Sequence, residues 1–337
     1  MNNPPAPSDN PPICDYEGSD YRTRFWENEN RAYEDLAERI AMRRLLPAAT
    51  SGSGQRLLEI GTGFGRLVDL YRGYAHVVLL DYSKSLLQEA RQRWGDVDAE
   101  TGTHYTYVAA DIYRLPLRDA VVDTACMVRV MHHMADVPGA LRQVERVIRP
   151  GGSYVLEFAS KLHLKSVARW LLRRQAWSPF DREPVEFVEL NYDFHPRWMR
   201  ERLVEAGFVV ERTRAVSILR AALLKRLLPA RLLAAVDGAL QWTGQCCALA
   251  PSVFVRARTV REPGLAGSAG ARRSRGALDL DPAALFCCPA CEGESLSAEG
   301  TTLRCSSCGT RWAIDEGIYD FKSPQPRNPG LAKSQKE

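Results

Sequence analysis

The chain has 337 residues, about twice the usual length of one domain, so two folding units are expected. Hydrophobic residues make up 45% and charged residues 26%, a balance that excludes a fibrous or wholly unstructured protein. No apolar run reaches the roughly 18 residues of a membrane-spanning helix, and Met1-Asn2-Asn3-Pro4-Pro5 opens no signal peptide, so a cytoplasmic location is expected. The net charge of +4 conceals a basic middle: residues 159–276 carry 21 basic and 10 acidic side chains between mildly acidic flanks. Such a distribution points to a local anionic partner, whether nucleic acid, a membrane surface or an acidic small molecule.

Residues 1–19 are rich in Pro, Asn and Ser and are expected to be disordered. From Asp20 to Leu46, residues such as Phe25, Trp26, Tyr33, Leu36 and Ile40 recur at helical intervals, which predicts one or two amphipathic helices. Strands are predicted at Arg56–Ile60, His76–Asp81, Tyr105–Ala109, Val121–Val128, Ser153–Phe158, Phe208–Arg212 and Ser252–Arg258, with helices at 65–73, 83–94, 137–148 and 196–206. This alternation predicts a doubly wound α/β sheet over residues 20–261, with its ligand beyond the carboxyl ends of the strands.

Two insertions, 159–195 and 213–251, are too long for simple connections and contain helical patterns at His163–Arg174 and Ile218–Leu240. Each follows a strand that ends at the ligand side, so both are expected to form a lid. The first begins with Lys161, Lys165, Arg169, Arg173 and Arg174; the second carries Arg214, Arg220, Lys225, Arg226 and Arg231 among leucine pairs. A basic, partly apolar lid suits RNA phosphates or anionic lipid headgroups, and a solvated face on core-packing helices is the alternative. Residues 262–280 read as a flexible linker, 281–321 as a compact Cys-rich module and 322–337 as a disordered polar tail.

The run Leu57-Leu58-Glu59-Ile60-Gly61-Thr62-Gly63-Phe64-Gly65-Arg66 takes a buried strand into three alternate glycines. Glycine permits a tight turn and lets a ligand approach the backbone. Asp81 closes the second strand, 20 residues after Gly61, and Asp111-Ile112 follows the third. Carboxylates at these strand ends suit ribose hydroxyls and an adenine amine. Arg66 after Gly65 breaks the dinucleotide fingerprint, and no phosphate-binding Gly-x-x-x-x-Gly-Lys-Ser/Thr is present.

These residues resemble the class I S-adenosylmethionine-dependent methyltransferases of the small-molecule and quinone-methylating type. The likeness covers roughly residues 55–160 and 196–258, through Glu59–Gly65, Asp81-Tyr82-Ser83, Ala110-Asp111-Ile112, Leu115-Pro116-Leu117, His132-His133 and Arg149-Pro150-Gly151-Gly152. The resemblance implies a Rossmann-like seven-stranded sheet with its last strand antiparallel. It also implies that Glu59, Gly61, Gly63 and Gly65 hold the methionine part of S-adenosylmethionine, that Asp81 takes the ribose, that Asp111 and Ile112 meet the adenine, and that Tyr82 is a further cofactor contact. His132 as a base and Arg129 as an anion or cofactor contact are the candidate catalytic residues, and helix-start packing is the alternative for the pair.

Cys288-Pro289-Ala290-Cys291 and Cys305-Ser306-Ser307-Cys308, with 13 residues between them, match a closed tetrahedral structural zinc site. The module resembles the zinc-ribbon activators that pair with methyltransferases acting on tRNA, rRNA and release factors, which suggests that it acts in cis. The leading expectation is a methyltransferase whose acceptor is an RNA, a translation protein or a lipophilic small molecule, the last at a membrane surface. Aminopropyl transfer on the same fold, and a cofactor-sensing or RNA-binding protein without turnover, are the competing readings.

Overall fold

The computed structural model describes residues 11–19, 22–27, 31–48, 55–261 and 280–325. Of the expected linker 262–280 and tail 322–337, residues 262–279 and 326–337 lie outside the described residues, as do residues 1–10, whereas 322–325 extend the last strand because they pair in the sheet. A π-helical turn at Arg22–Glu27 precedes α1 (Ala32–Leu45), which buries Tyr33, Ala37, Ala41 and Leu45 along one face. There follow β1 (Arg56–Ile60), β2 (His76–Asp81), α2 (Lys84–Trp94), β3 (His104–Ala109), β4 (Val122–Met127), α3 (Val137–Val147) and β5 (Ile148–Ala159). Local chemistry sets the helix ends: the Ser83 side chain accepts the Leu86 N–H at the start of α2, and Asp136 accepts the Gly139 N–H at the start of α3.

The first insertion forms α4 (Leu164–Leu171) and the short hairpin of β6 (Val185–Val188) and β7 (Asn191–Asp193). Next come α5 (Pro196–Glu205) and β8 (Phe208–Val216), and the second insertion folds as α6 (Ala222–Leu227) and α7 (Ala230–Leu240) before β9 (Ser252–Thr259). The Cys-rich segment supplies β10 (Leu296–Glu299), β11 (Thr302–Cys305), β12 (Arg311–Asp315) and β13 (Ile318–Gln325).

One mixed sheet contains eleven strands in the order β10-β11-β12-β13-β3-β2-β1-β4-β5-β9-β8. β9 runs antiparallel to both β5 and β8. The expected seven-stranded sheet is thus only part of the sheet. β13 pairs in parallel with β3, setting Ile318 against Tyr107 and Asp320 against Ala109. The physical reason is that β3 would otherwise present a bare row of backbone N–H and C=O groups.

Successive strand residues point to opposite faces, so the sheet has two cores. One holds Leu58, Val78 and Val108 with α3 and α5, together with Phe286, Trp312 and Phe321 of the Cys-rich segment. The other holds Leu57, Val77 and Tyr107 with α1 and α7, together with Ile318. A second difference concerns residues 65–73, predicted as a helix. Gly63 and Gly65 adopt φ of 54° and 76°, outside the helical range, and only a 3-10 turn at Val68–Tyr71 forms.

Candidate active site

β1 is buried at all five positions, and it carries Glu59 next to its carboxyl end. Tyr71 donates its hydroxyl to Glu59 Oε1 at 2.9 Å, while Oε2 is buried with no partner among the described residues. Burial pushes the Glu59 carboxyl up to about 8, against the smaller opposing effects of Tyr71 and Arg66. At the end of β2, Asp81 accepts the Gly63 N–H at 2.7 Å and the Ser83 N–H at 2.9 Å, and burial raises it to about 6. Asp111 accepts the Tyr113 N–H at 2.8 Å, and burial raises its carboxyl as well.

Gly61, Gly63, Asp81, Tyr82 and Ile112 line one cleft with Val130 and Met134. Glu59 lines a small adjoining recess with Gly61, Gly63 and Arg129. At Gly61 (φ 75°) a Cβ would come within 2.0 Å of Val130 Cγ2, so the close approach requires glycine. Gly65 is different: a Cβ there would meet the Trp94 ring at 2.8 Å, and Trp94 donates its indole N–H to the Gly65 carbonyl. Gly65 therefore packs the turn against α2 and lines neither space.

Residues 11–19 fall in the segment expected to be disordered, yet Ile13, Cys14 and Tyr16 form the outer wall of the cleft. Backbone anchoring explains the difference, because Glu17 accepts the Lys84 and Ser85 N–H groups at the start of α2. Tyr16 bonds His133 Nε2 at 3.1 Å, and His133 Nδ1 lies 2.9 Å from the Leu190 carbonyl. A carbonyl only accepts, so Nδ1 carries the proton and Nε2 accepts from Tyr16.

Beyond β4 and β5 lies a chamber of about 430 Å³, lined by His132, Arg129, Glu157, His163, Asp193, Arg220, Arg31 and Tyr16. Both insertions contribute to it. Burial, then His133, Arg129 and Arg31, hold His132 well below the usual histidine range, which keeps its ring neutral. Arg129 sits at φ 60°, a strained conformation for a residue with a side chain. Its N–H donates to Glu157 at 2.8 Å, and its guanidinium binds the fully buried Glu38 and faces the Trp26 ring. Arg66 pairs with the other Glu38 oxygen at 2.7 Å. Arg129 therefore shapes the wall between cleft and chamber.

Glu157 and Asp193 are the acids of the chamber; sequence reasoning named neither as a site residue, nor Tyr16, Arg31 or His163. Glu157 lies near the carboxyl end of an apolar strand as Glu59 does, and that mark identifies it; Asp193 lies in an insertion with no local signal. Burial raises both, Asp193 to about 6.

Cys288, Cys291, Cys305 and Cys308 place their sulfurs within 4.8 Å of one another. The Cys288–Cys308 and Cys291–Cys305 separations are 3.8 and 3.6 Å. Four sulfurs at roughly 2.3 Å from a tetrahedral metal would stand about 3.8 Å apart. Cys287 turns away and faces the Leu117 carbonyl at 3.2 Å.

The methyltransferase domain family matches residues 58–156. A malonyl-[acyl-carrier protein] O-methyltransferase of Erwinia pyrifoliae is 33% identical over 144 residues, covering 42% of this chain and 52% of that protein. The ubiquinone/menaquinone biosynthesis C-methyltransferase UbiE of Vibrio cholerae is 30% identical over 184 residues, covering 50% of this chain and 70% of that enzyme. Among solved structures, a complex between the Trm112 methyltransferase activator of Haloferax volcanii and a methyltransferase covers 72% of this chain and 95% of that one, with a TM-score of 0.48 and 17% identity. The chain belongs to the class I S-adenosylmethionine-dependent methyltransferases. It spans about half the length of the malonyl-carrier relative. No helix among the described residues is long and apolar enough to cross a membrane.

Proposed function

We propose that this chain transfers a methyl group from S-adenosylmethionine to an acceptor held in the chamber, with a zinc ribbon supporting the fold in cis. The observation that carries the reading is Glu59: a buried carboxylate oxygen without a partner suits the cationic amino group of the methionine part. Asp81 would take the ribose, with Tyr82 beside it, and Asp111 and Ile112 the adenine. Gly61 and Gly63 would let the cofactor reach the backbone. When bound, S-adenosylmethionine supplies an electrophilic methyl group on a sulfonium. The chain's own contribution is to align the acceptor and exclude water. Neutral His132, exposed to the chamber, would accept the acceptor's proton, while Arg129 holds the wall that separates the two ligands.

Cys288, Cys291, Cys305 and Cys308 would bind one structural zinc with no open position. Two experiments test the proposal. Calorimetry should show S-adenosylmethionine binding that Asp81→Ala abolishes, whereas a preference for NAD would sink the assignment. Labelled methyl groups should then appear in the RNA, protein or lipid fraction of a cell extract. Binding without label in any fraction would instead favour a cofactor sensor.

A further inference from the structure

Among the described residues, 14 of the 19 exposed large hydrophobic side chains lie in the two insertions. Eight of them are leucines, including Leu171 at 67%, Leu172 at 64%, Leu223 at 65% and Leu227 at 68% exposure. α4 buries only Ser166, and α6 buries no side chain. Helices this short are marginal in water unless an apolar face packs against something. Nothing among the described residues covers the outward leucines of α4 and α6.

The surrounding charge selects what does. Arg169, Arg173, Arg174, Arg226 and Arg231 are exposed around these leucines, and residues 159–180 and 213–236 contain no acid. The insertions' other basic side chains include two that turn inward: Lys161 donates to the Glu183 carbonyl at 2.6 Å, and Lys225 pairs with Glu34 at 2.9 Å. A two-fold contact between copies through this face would bring like charges together. RNA would leave eight leucines without an apolar partner, since base stacking uses aromatic rings. An anionic bilayer satisfies both features, because leucines enter the acyl boundary while arginines meet the headgroups. Placement agrees: His163, just before α4, and Arg220, just before α6, both line the chamber.

We propose that the outward leucines of α4 and α6 dock on an anionic lipid bilayer, and that the acceptor is an amphiphile entering the chamber from that surface. The acceptor clause rests on the methyltransferase reading; the docking clause does not.

Vesicle flotation of the full chain, without cofactor or acceptor, tests the docking. The protein should float with phosphatidylcholine vesicles containing phosphatidylglycerol and not with phosphatidylcholine alone, and added salt should weaken the binding. Replacing Arg169, Arg173 and Arg174 by Gln should lower the affinity on the order of 100-fold, at roughly 1 kcal/mol for each basic residue near the surface. Leu223→Ser with Leu227→Ser should lower partitioning but keep the salt dependence; all five positions in the two variants are exposed, so the fold is retained. Absence of flotation with anionic vesicles, or indifference to both variants, would overturn the docking. So would a dimer in sedimentation that the leucine variant disperses, or tighter binding to polyuridylate than to vesicles. Label recovered in the lipid fraction supports the acceptor clause, and label confined to RNA or protein overturns it. Vesicle binding with no label anywhere would count against methyl transfer and leave the docking standing.

Discussion

Keeping a carboxylate ionised at 4% exposure is costly, and Glu59 offers a direct measure of that cost. Its pKa rises from 4.5 to about 8 on folding, so the protonated form stabilises the ligand-free fold. That contribution is complete below about pH 4.5 and is lost as the pH climbs through 8. The ligand-free melting temperature should therefore fall between pH 5 and 8, and Glu59→Gln should flatten the decline. A cationic amino group beside Glu59 reverses the preference, so cofactor binding near pH 7 should release a proton in the wild type and none in Glu59→Gln. Calorimetry in buffers of different ionisation enthalpy reads this number. His132 has the opposite character, being neutral throughout the physiological range, so turnover should show no histidine titration on its acid limb. His132→Ala should lower turnover by roughly 10²–10³-fold, in the range of general-base contributions, and leave the affinity for the demethylated cofactor unchanged. A role confined to packing would instead move affinity and stability together. Glu59 and Asp81 stood out in the sequence because each lies at the carboxyl end of an apolar strand, and Asp111 because it follows one. Tyr16 did not, because its partner His133 is 117 residues away and only the tertiary fold joins them.

At the scale of elements, β1 to β4 were readable to within a residue or so, since runs such as Leu57–Ile60 and Val77–Leu80 are buried on both faces and contain no turn former. β5 and β8 run further than expected, and β6, β7 and β10 to β13 were not marked as strands. The segment after the glycine turn was not readable, because its apolar spacing imitates a helix while the backbone of Gly63 and Gly65 forbids one. Gly65 makes this testable. An alanine there meets the Trp94 ring and must hold φ near 76°, a conformation costing about 1–2 kcal/mol for a residue with a Cβ. Gly65→Ala should lower the melting temperature by about 2–3 °C in a chain of this length. Its cofactor affinity should change far less than that of Gly61→Ala, whose Cβ would strike Val130 in the cleft wall. Equal losses of affinity in the two variants would place Gly65 at the cofactor after all.

For the whole molecule, the cysteine spacing disclosed a compact module but not its docking, because pairing of β13 with β3 depends on two edges 209 or more residues apart meeting in register. Once docked, the module belongs to both cores. Ile318 is fully buried on one face of the sheet and Phe286 on the other, while Lys84 pairs with Asp315 across the junction. Lys322 also lies 3.6 Å from Glu17, the residue that anchors the cleft wall to α2. Zinc bound by the four cysteines would then stabilise the entire chain by mass action. Removing it with a chelator should lower a single cooperative melting transition of the full chain. Truncation after Arg261 should delete the metal and keep measurable cofactor binding, since Glu59, Asp81 and Asp111 all precede the cut. The same cut bares the β3 edge and uncovers the core around Tyr107, so the truncated protein should melt earlier and scatter light as it aggregates. Two separate transitions in the full chain, with the upper one indifferent to chelation, would show instead that the module folds apart from the sheet it extends.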